Sequence, residues 1–403
     1  MLTYLSPHSD VNDQNPLSIF SQYPDIFHTT TSDYHQVIAH PGLVVIPMLN
    51  YAVSNFLKWQ DDIDLRTAEY VEHTLSIFLE RQQQARETAL IIDSSCEGNC
   101  YDTGSYDKLW QIFNRFRLNP QRNCLFIHNK FLDKQRINQP QIGQNISIDF
   151  HAIMAYYRTQ VSKQQQVALL PLAQREPRLC LLIGKLKTKL SRFITAYSFY
   201  KHDLLKDSVL GIHCELQDLL DWQQRLPEFQ DPDFISAIEP YLGPADSVSE
   251  QHNTNEGLTA NAGGWPFDPA IFTTSRVSYC CESYDFDKPG DQPLITEKTY
   301  RAIINRHAFV IQSNPGKLNI LKDLGYRTFD SLIDETYNLC SKQGQHVNET
   351  VRAAELLLQA TTTNQDLVQE IVDHNWQLWF ETTAKEYEMT ADYMTAFFDS
   401  LKS

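Results

Sequence analysis

Short, continuous apolar runs recur along this chain, and a stretch with helical periodicity follows most of them. Runs rich in Val, Ile and Leu that end in polar loops are typical of parallel strands buried on both faces of a sheet. Their alternation with helices predicts an α/β fold with doubly wound sheets. The predicted strands are residues 43–48, 89–93, 123–128, 179–183, 208–213, 276–281 and 308–312.

The length of the chain predicts two domains. Its 403 residues are more than one ordinary core holds and suit two α/β domains. A polar stretch with two prolines, residues 163–177, separates the first three predicted strands from the other four. We therefore expect two Rossmann-like domains, residues 1–172 and 173–403. An aromatic-rich helical pattern, residues 364–401, closes the chain and is expected to pack back onto the first domain.

Charge and cysteine usage restrict the possible partners. The net charge of −16 disfavours nucleic acid as an acceptor, because an acidic chain repels a polyanion. No apolar run is long enough to span a membrane, and the N-terminal residues lack the apolar segment of a secretory signal. The eight cysteines form no CxxC pair and accompany no His cluster, so we expect a cytoplasmic protein without a metal site.

The segment that begins at Thr296 has the features of a phosphate-binding helix start. Thr296 is a good N-cap, and Glu297 and Lys298 follow in the first helical turn, where backbone N–H groups and the helix dipole favour anions. Lys298 adds a charge suited to a diphosphate. Ordinary capping with a surface lysine is the alternative. The turn Asn314-Pro315-Gly316 follows the next predicted strand, so Asn314 and Gly316 are expected to line the same crevice.

These residues also carry a resemblance. The elements Thr296-Glu297-Lys298-Thr299-Tyr300, Asn314-Pro315-Gly316, Leu324-Gly325-Tyr326 and Asp334-Glu335-Thr336-Tyr337 resemble the C-terminal motif of glycosyltransferase-like proteins from phages, large viruses and bacteria. The first of them is also similar to the TEK signature of the α-1,3-fucosyltransferase family, which are inverting enzymes of the GT-B type. The resemblance covers roughly 45 residues. It implies two Rossmann-like domains facing each other across a cleft, with Glu297 on the donor ribose and Lys298 on the diphosphate.

Other residues are expected on the donor side. A basic loop after strand 179–183 leads into a helix, and it places Lys189 and Arg192 at a second helix start. A solvated basic surface is the alternative for this loop. Glu282 ends a predicted strand and is expected to contact the sugar or the base. Tyr300, within the resembling segment, completes the predicted donor pocket.

The acceptor side is predicted from the loop that follows strand 89–93. Inverting glycosyl transfer needs one general base to deprotonate the acceptor hydroxyl. Glu97 is the candidate base and Asp93 the second choice, with a turn cap and a solvated loop residue as the alternatives. His128 ends another strand and is a further acceptor-side candidate, although a structural histidine is the alternative. Asp285 and Asp287 form a DxD string, which we interpret as part of a loop.

The sequence therefore predicts a glycosyltransferase that moves a sugar from a nucleotide-diphosphate sugar to an acceptor hydroxyl. The resemblance implies inversion at the sugar. We expect no metal or other cofactor, because cations and helix starts can stabilise the leaving diphosphate. The acceptor can be a glycan, a small molecule, a protein or a modified nucleobase. Two alternatives stay open: a non-catalytic GT-B-like protein that binds a nucleotide or glycan, and an assembly scaffold.

Overall fold

The structure is a computed structural model, and it describes residues 2–4, 27–30, 44–49, 75–81, 83–84, 88–94, 123–130, 144–157, 170–183, 186–243, 272–282 and 295–401. The chain divides into two compact units. The first comprises Met1–Tyr157 together with Thr383–Ser403, and the second comprises Arg158–Thr382. Sequence analysis placed a boundary near residue 172 and assigned the whole C-terminal end to the second domain.

The first unit contains a parallel sheet. Its six described strands lie in the order β2-β1-β3-β4-β5-β6, and each hydrogen-bonded pair is parallel. This is the doubly wound order in which the chain starts inside the sheet and reverses direction between β1 and β3. The strands are β1 Leu2–Tyr4, β2 Phe27–Thr30, β3 Val44–Leu49, β4 Thr88–Ser94, β5 Cys124–Asn129 and β6 Gln144–Ile148.

The described helical segments α1, at residues 75–81, and α2, at Phe150–Tyr156, belong to this unit, as do residues 383–401 of the C-terminal helix. On α1, Leu75 and Phe78 are buried, as the apolar face of an amphipathic helix requires. The start of α2 is capped by Asp149, whose Oδ1 accepts a hydrogen bond from the backbone N–H of Ala152 at 3.1 Å.

The second unit contains another parallel sheet, with five described strands in the order β11-β10-β7-β8-β9. The chain lays down β7, β8 and β9 in one direction and then crosses to the far side of β7 for β10 and β11. The two halves of the sheet therefore meet between β7 and β10, as in dinucleotide-binding folds. The strands are β7 Leu179–Ile183, β8 Ser208–His213, β9 Leu242–Gly243, β10 Val277–Cys281 and β11 Ala308–Gln312.

Helices connect these strands and follow them. In the part of the chain that the structure describes, no helix is long and apolar enough to cross a membrane. The helix α6 packs against β10 and β11. The helices are α3 Leu190–Lys201, α4 Leu216–Arg225, α5 Pro232–Ile238, α6 Glu297–Ile304, α7 Lys317–Asp323, α8 Gln343–Thr363 and α9 Gln365–Leu401.

The α/β class with parallel sheets is confirmed, and several predicted strands are confirmed closely. β7, β8 and β11 match their predictions residue for residue. The sequence pattern predicts that the helix after the basic loop covers residues 191–205. In the structure it ends earlier, at Lys201, because His202 leaves the helical backbone and Asp203 adopts a positive φ of 58°. The sequence pattern also predicts helices over residues 51–59 and 106–116, and both ranges lie outside the described residues.

Candidate functional site

The carboxyl ends of β7 and β10 define the candidate site of the second unit. The strand order reverses between these two neighbours, and ligands of doubly wound sheets bind in the crevice outside the carboxyl ends at such a point. The chain that leaves β7 forms α3, and the residue that follows β10 is Glu282. The start of α6 lies beside Glu282, because Thr296 donates hydrogen bonds to the Glu282 carboxylate.

The carboxylate of Glu282 binds the start of α6. Its Oε1 accepts hydrogen bonds from the backbone N–H of Thr296 at 3.3 Å and from the hydroxyl of Thr299 at 2.6 Å. Its Oε2 accepts the hydroxyl of Thr296 at 2.5 Å. Glu282 is only 2% exposed, so these bonds offset the cost of burying its charge.

Thr296 performs the capping role that its residue type predicts. It has an extended backbone, with φ of −105°, and its Oγ1 accepts the backbone N–H of Lys298 at 3.4 Å. The same hydroxyl donates its proton to Glu282. One threonine side chain therefore joins the first turn of α6 to the end of β10.

Glu297 and Lys298 form an ion pair with each other in the first turn of α6. Both side chains are mostly shielded from solvent, with exposed fractions of 10% and 16%. The backbone carbonyl of Lys298 also accepts the thiol of Cys280 at 3.5 Å. The resemblance assigns Glu297 to the ribose and Lys298 to the diphosphate. In the structure these two side chains pair with each other, so each neutralises the charge of the other.

Arg192 and Lys189 lie at the start of α3. Arg192 is 4% exposed, and its Nη2 makes a long hydrogen bond of 3.5 Å to the backbone carbonyl of Glu282. Lys189 is the N-cap residue of α3 and is partly exposed. The predicted basic loop therefore splits into a buried arginine directed at Glu282 and a lysine nearer the surface. Residues 184–185 of this loop lie outside the described residues.

Tyr300, also predicted on the donor side, is 1% exposed. Its neighbour on α6, Thr299, is fully buried. A buried aromatic ring at this place contributes apolar surface to the packing of the helix. Among residues 295–300, Lys298 is the one that is partly exposed.

The turn Asn314-Pro315-Gly316 follows β11, which is the neighbour of β10, so it lies at the same edge of the sheet as Glu282. The backbone N–H of Glu282 donates to the carbonyl of Gln312, the last residue of β11, at 3.0 Å. Gly316 has a positive φ of 90°, which glycine adopts without strain. Its N–H donates to the carbonyl of Asn338 at 2.8 Å. Asn314 is partly exposed.

In the first unit, the predicted base Glu97 lies outside the described residues. Asp93 is the next-to-last residue of β4, at the carboxyl end of that strand. His128 lies in β5, is fully buried and stacks on Phe126 with ring centroids 5.9 Å apart. Its Nε2 lies 2.9 Å from Oδ1 of Asn145. Burial lowers the pKa of His128 to about 4, so the ring is neutral at pH 7.

Sequence reasoning missed a charged cluster at the carboxyl ends of β5 and β6. The ammonium of Lys130 lies 3.2 Å from Oδ2 of Asp149 and 3.1 Å from Oε2 of Glu386. The other oxygen of Glu386 accepts the backbone N–H of Asp149 at 2.5 Å. Asp149, directly before a helix, carried a capping signal. Glu386 carried none, because its partners are more than two hundred residues away in the sequence.

Metal ligation has no support among the described residues, where no group of three or more His, Cys, Asp and Glu side chains is arranged to hold an ion. Asp285 and Asp287, the DxD string, lie outside those residues. At the carboxyl ends of β7 and β10, the ammonium of Lys298 and the guanidinium of Arg192 are the kinds of group that can bind an anionic ligand directly.

These features define a protein with mixed α/β structure and parallel, Rossmann-like sheets, with polar residues gathered where one sheet changes direction. Comparison of the chain with protein-family models, with curated proteins and with solved structures found no match in any of the three.

Proposed function

We propose that this protein is a glycosyltransferase that transfers a sugar from a nucleotide-diphosphate sugar to an acceptor hydroxyl. The single observation that carries the proposal is the convergence of Arg192, Glu282 and the Thr296–Lys298 turn where the sheet β7–β11 changes direction. Such a point is where nucleotides bind in doubly wound sheets. The proposed enzyme is of the GT-B type, inverts the configuration at the sugar and requires no metal.

The cations of this site suit a diphosphate leaving group. In the proposed reaction a base removes the proton of the acceptor hydroxyl, and the oxygen attacks the anomeric carbon. The bond from that carbon to the diphosphate oxygen breaks, and negative charge develops on the departing nucleoside diphosphate. Lys298 and Arg192 would stabilise this charge, which grows towards the transition state.

Donor binding would require the ion pair between Glu297 and Lys298 to open. The two side chains are adjacent in the sequence and keep 10% and 16% of their surface exposed, so a rotation of each can separate them. Lys298 would then bind the diphosphate, and Glu297 would be released to accept hydrogen bonds from the ribose hydroxyls. The two groups act as partners of each other before the donor arrives and as partners of the donor afterwards.

The acceptor would be activated by Glu97, with Asp93 as the second choice. Asp93 lies at the carboxyl end of β4, which is the edge of a parallel sheet where catalytic groups lie in α/β enzymes. His128 is the third choice, because it is buried and already paired with Asn145. The acceptor class stays open between glycan, small molecule, protein and modified nucleobase.

A thermal-shift screen against UDP, GDP, CMP, ADP and dTDP tests the proposal and identifies the base of the donor. A ligand at a hundred times its dissociation constant stabilises the folded state by about 2.7 kcal/mol, which raises the melting temperature by several degrees. We expect one nucleoside diphosphate to produce such a shift in the wild-type protein. A screen in which every nucleotide leaves the melting temperature unchanged would overturn the proposal.

The carboxylate of Glu282 favours a second candidate, a protein that binds a nucleotide without turning it over. This buried carboxylate already occupies donors at the start of α6 and reduces the positive potential there. Donor binding without sugar transfer or donor hydrolysis, across a panel of acceptors, would select this candidate. Sugar transfer to any acceptor would exclude it.

A further inference from the structure

Glu282 is the residue through which several elements of the site are joined. Its backbone N–H bonds to the end of β11, and its backbone carbonyl accepts Arg192 from α3. Its carboxylate accepts Thr296 and Thr299 from the start of α6. One residue thus connects the ends of two strands to the starts of two helices.

The geometry of this side chain suits a role in positioning. Both carboxylate oxygens accept bonds from α6, and the residue is 2% exposed. A sugar or base that contacted Glu282 would have to displace buried hydrogen bonds, each of which costs free energy when its donor is left unsatisfied. Sequence analysis expected Glu282 to contact the donor, and its contacts indicate that it acts through other residues.

We infer that Glu282 is a positioning residue that fixes the Thr296–Lys298 turn of α6 relative to Arg192 of α3. Lys298 and Arg192 can then bind the same diphosphate. This inference rests on the proposed function, because it assigns the diphosphate to that place. The carboxylate itself repels a diphosphate, so loss of its charge alone should tighten binding. Loss of its hydrogen bonds should weaken binding, and the two effects have opposite signs.

Glu282→Gln removes the charge and part of the hydrogen bonding together, so the sign of its effect on binding shows which of the two dominates. The amide has the same shape but no charge, and its NH₂ group replaces one acceptor with donors that face Thr296. We expect the dissociation constant for the nucleoside diphosphate identified by the screen to rise about tenfold to a hundredfold, measured by calorimetry. We also expect faster hydrogen exchange of the backbone amides in residues 297–299.

Glu335 offers a matched control. Its carboxylate also accepts a threonine hydroxyl and a backbone N–H, those of Thr328 and Phe329, both at 2.8 Å. Its side chain is 9% exposed. Glu335→Gln should accelerate amide exchange at Phe329, with no change at residues 297–299. It should leave the affinity for the nucleoside diphosphate within about twofold of wild type.

Thr299→Val provides a second variant if Glu282→Gln fails to fold. Valine has nearly the shape of threonine, and the change removes only the hydroxyl that bonds Glu282. We expect a smaller rise of the dissociation constant, about threefold to tenfold. Thr361→Val is the control for Thr299→Val, because Thr361 is also fully buried and its hydroxyl bonds a carbonyl within α8. The affinity of Thr361→Val for the nucleoside diphosphate should match that of wild type.

The outcomes separate the inference from the proposed function. Wild-type protein that binds no nucleoside diphosphate overturns the proposed function and the positioning role together. Wild-type binding that Glu282→Gln and Thr299→Val leave unchanged or tighten overturns the positioning role alone. Weaker binding in these variants with unchanged exchange at residues 297–299 also overturns it, because the loss would then not arise from the start of α6. Weaker binding with faster exchange there, and neither in the controls, supports it.

Discussion

The backbone N–H of Ser313 donates a hydrogen bond to Nε2 of His346, 3.3 Å away and 33 residues further along the chain. This bond defines the tautomer of the imidazole. Because Nε2 accepts a proton donor, Nδ1 carries the hydrogen and donates it to the carbonyl of Tyr337 at 2.7 Å. Ser313 directly precedes the turn Asn314-Pro315-Gly316, so neutral His346 in α8 holds the end of β11 and this turn in place.

His346 should make the stability of the protein depend on pH in the acid range. Burial lowers its pKa from 6.5 to about 4. Between these two values the unfolded state binds the proton and the folded state does not, so stability falls as the pH decreases through this window. We expect wild type to lose about 3 kcal/mol more unfolding free energy than His346→Gln between pH 7 and pH 4. Urea unfolding at both pH values measures it, and identical losses would refute it.

The strands that sequence analysis predicted residue for residue have most of their described residues buried. Every residue of β11 is buried, so the strand is a continuous apolar run and its pattern is visible in the sequence. β6, which was not predicted, has one buried residue among five and a mixed sequence that resembles a loop. The helix α8 was also missed, and its N-cap Lys342 makes no side-chain capping bond, which removes the usual signal for a helix start.

Two glycines of the second unit should respond to alanine with opposite signs. Gly316 has a φ of 90°, and a Cβ there would meet no atom within 4 Å, so Gly316→Ala should cost about 1–2 kcal/mol through its backbone alone. Gly344 lies within α8, with equally open space around a Cβ. Gly344→Ala should stabilise the protein by about 0.5–1 kcal/mol. Chemical denaturation of both variants checks this, and effects of the same sign would contradict it.

The site was predictable in part, because some of its features, such as the cap of α6, depend only on residues that are adjacent in the sequence. The capping role of Thr296 follows from its residue type and position, and the structure confirms it. The bonds from Thr296 and Thr299 to Glu282 could not be predicted. They join residues 14 and 17 positions apart across a segment with no periodic pattern, and they depend on how α6 packs against β10.

Lys298→Ala should weaken binding of the nucleoside diphosphate by about 1.5–3 kcal/mol, the range for a hydrogen bond to a charged group. Calorimetry measures the change. Lys322→Ala is a matched control, because Lys322 also pairs with carboxylates, those of Asp330 and Glu335, but is not part of the proposed donor site. Equal affinities of Lys298→Ala and wild type would remove Lys298 from the donor site.

Transfer activity should survive EDTA. The proposed stabilisation of the leaving diphosphate comes from Lys298, Arg192 and the helix starts that carry them. The check is a transfer assay before and after chelation, with manganese added back afterwards. Complete loss with EDTA and recovery with manganese would assign the diphosphate to a metal held by Asp285 and Asp287.

Glu97 is the proposed general base, and its loss should affect turnover but not donor binding. A base acts on the acceptor in the transition state, whereas the donor is held by residues of the second unit. We expect Glu97→Gln to lower the turnover number by about a hundredfold to ten-thousandfold and to leave the dissociation constant of the nucleoside diphosphate nearly unchanged. Steady-state kinetics together with calorimetry make the comparison.

Asp93→Asn must be measured beside Glu97→Gln, because Asp93 lies near the end of β4 and Glu97 comes four positions later in the sequence. Near wild-type turnover in Glu97→Gln with none in Asp93→Asn would make Asp93 the base.

If both variants retain turnover, the base lies elsewhere and His128 is the next candidate. That histidine would have to become accessible, because it is fully buried and bonded to Asn145. Its pKa of about 4 would also make it a weak base, since general-base catalysis is most efficient with a pKa near the working pH. Loss of turnover in Glu97→Gln alone is therefore the outcome that we expect.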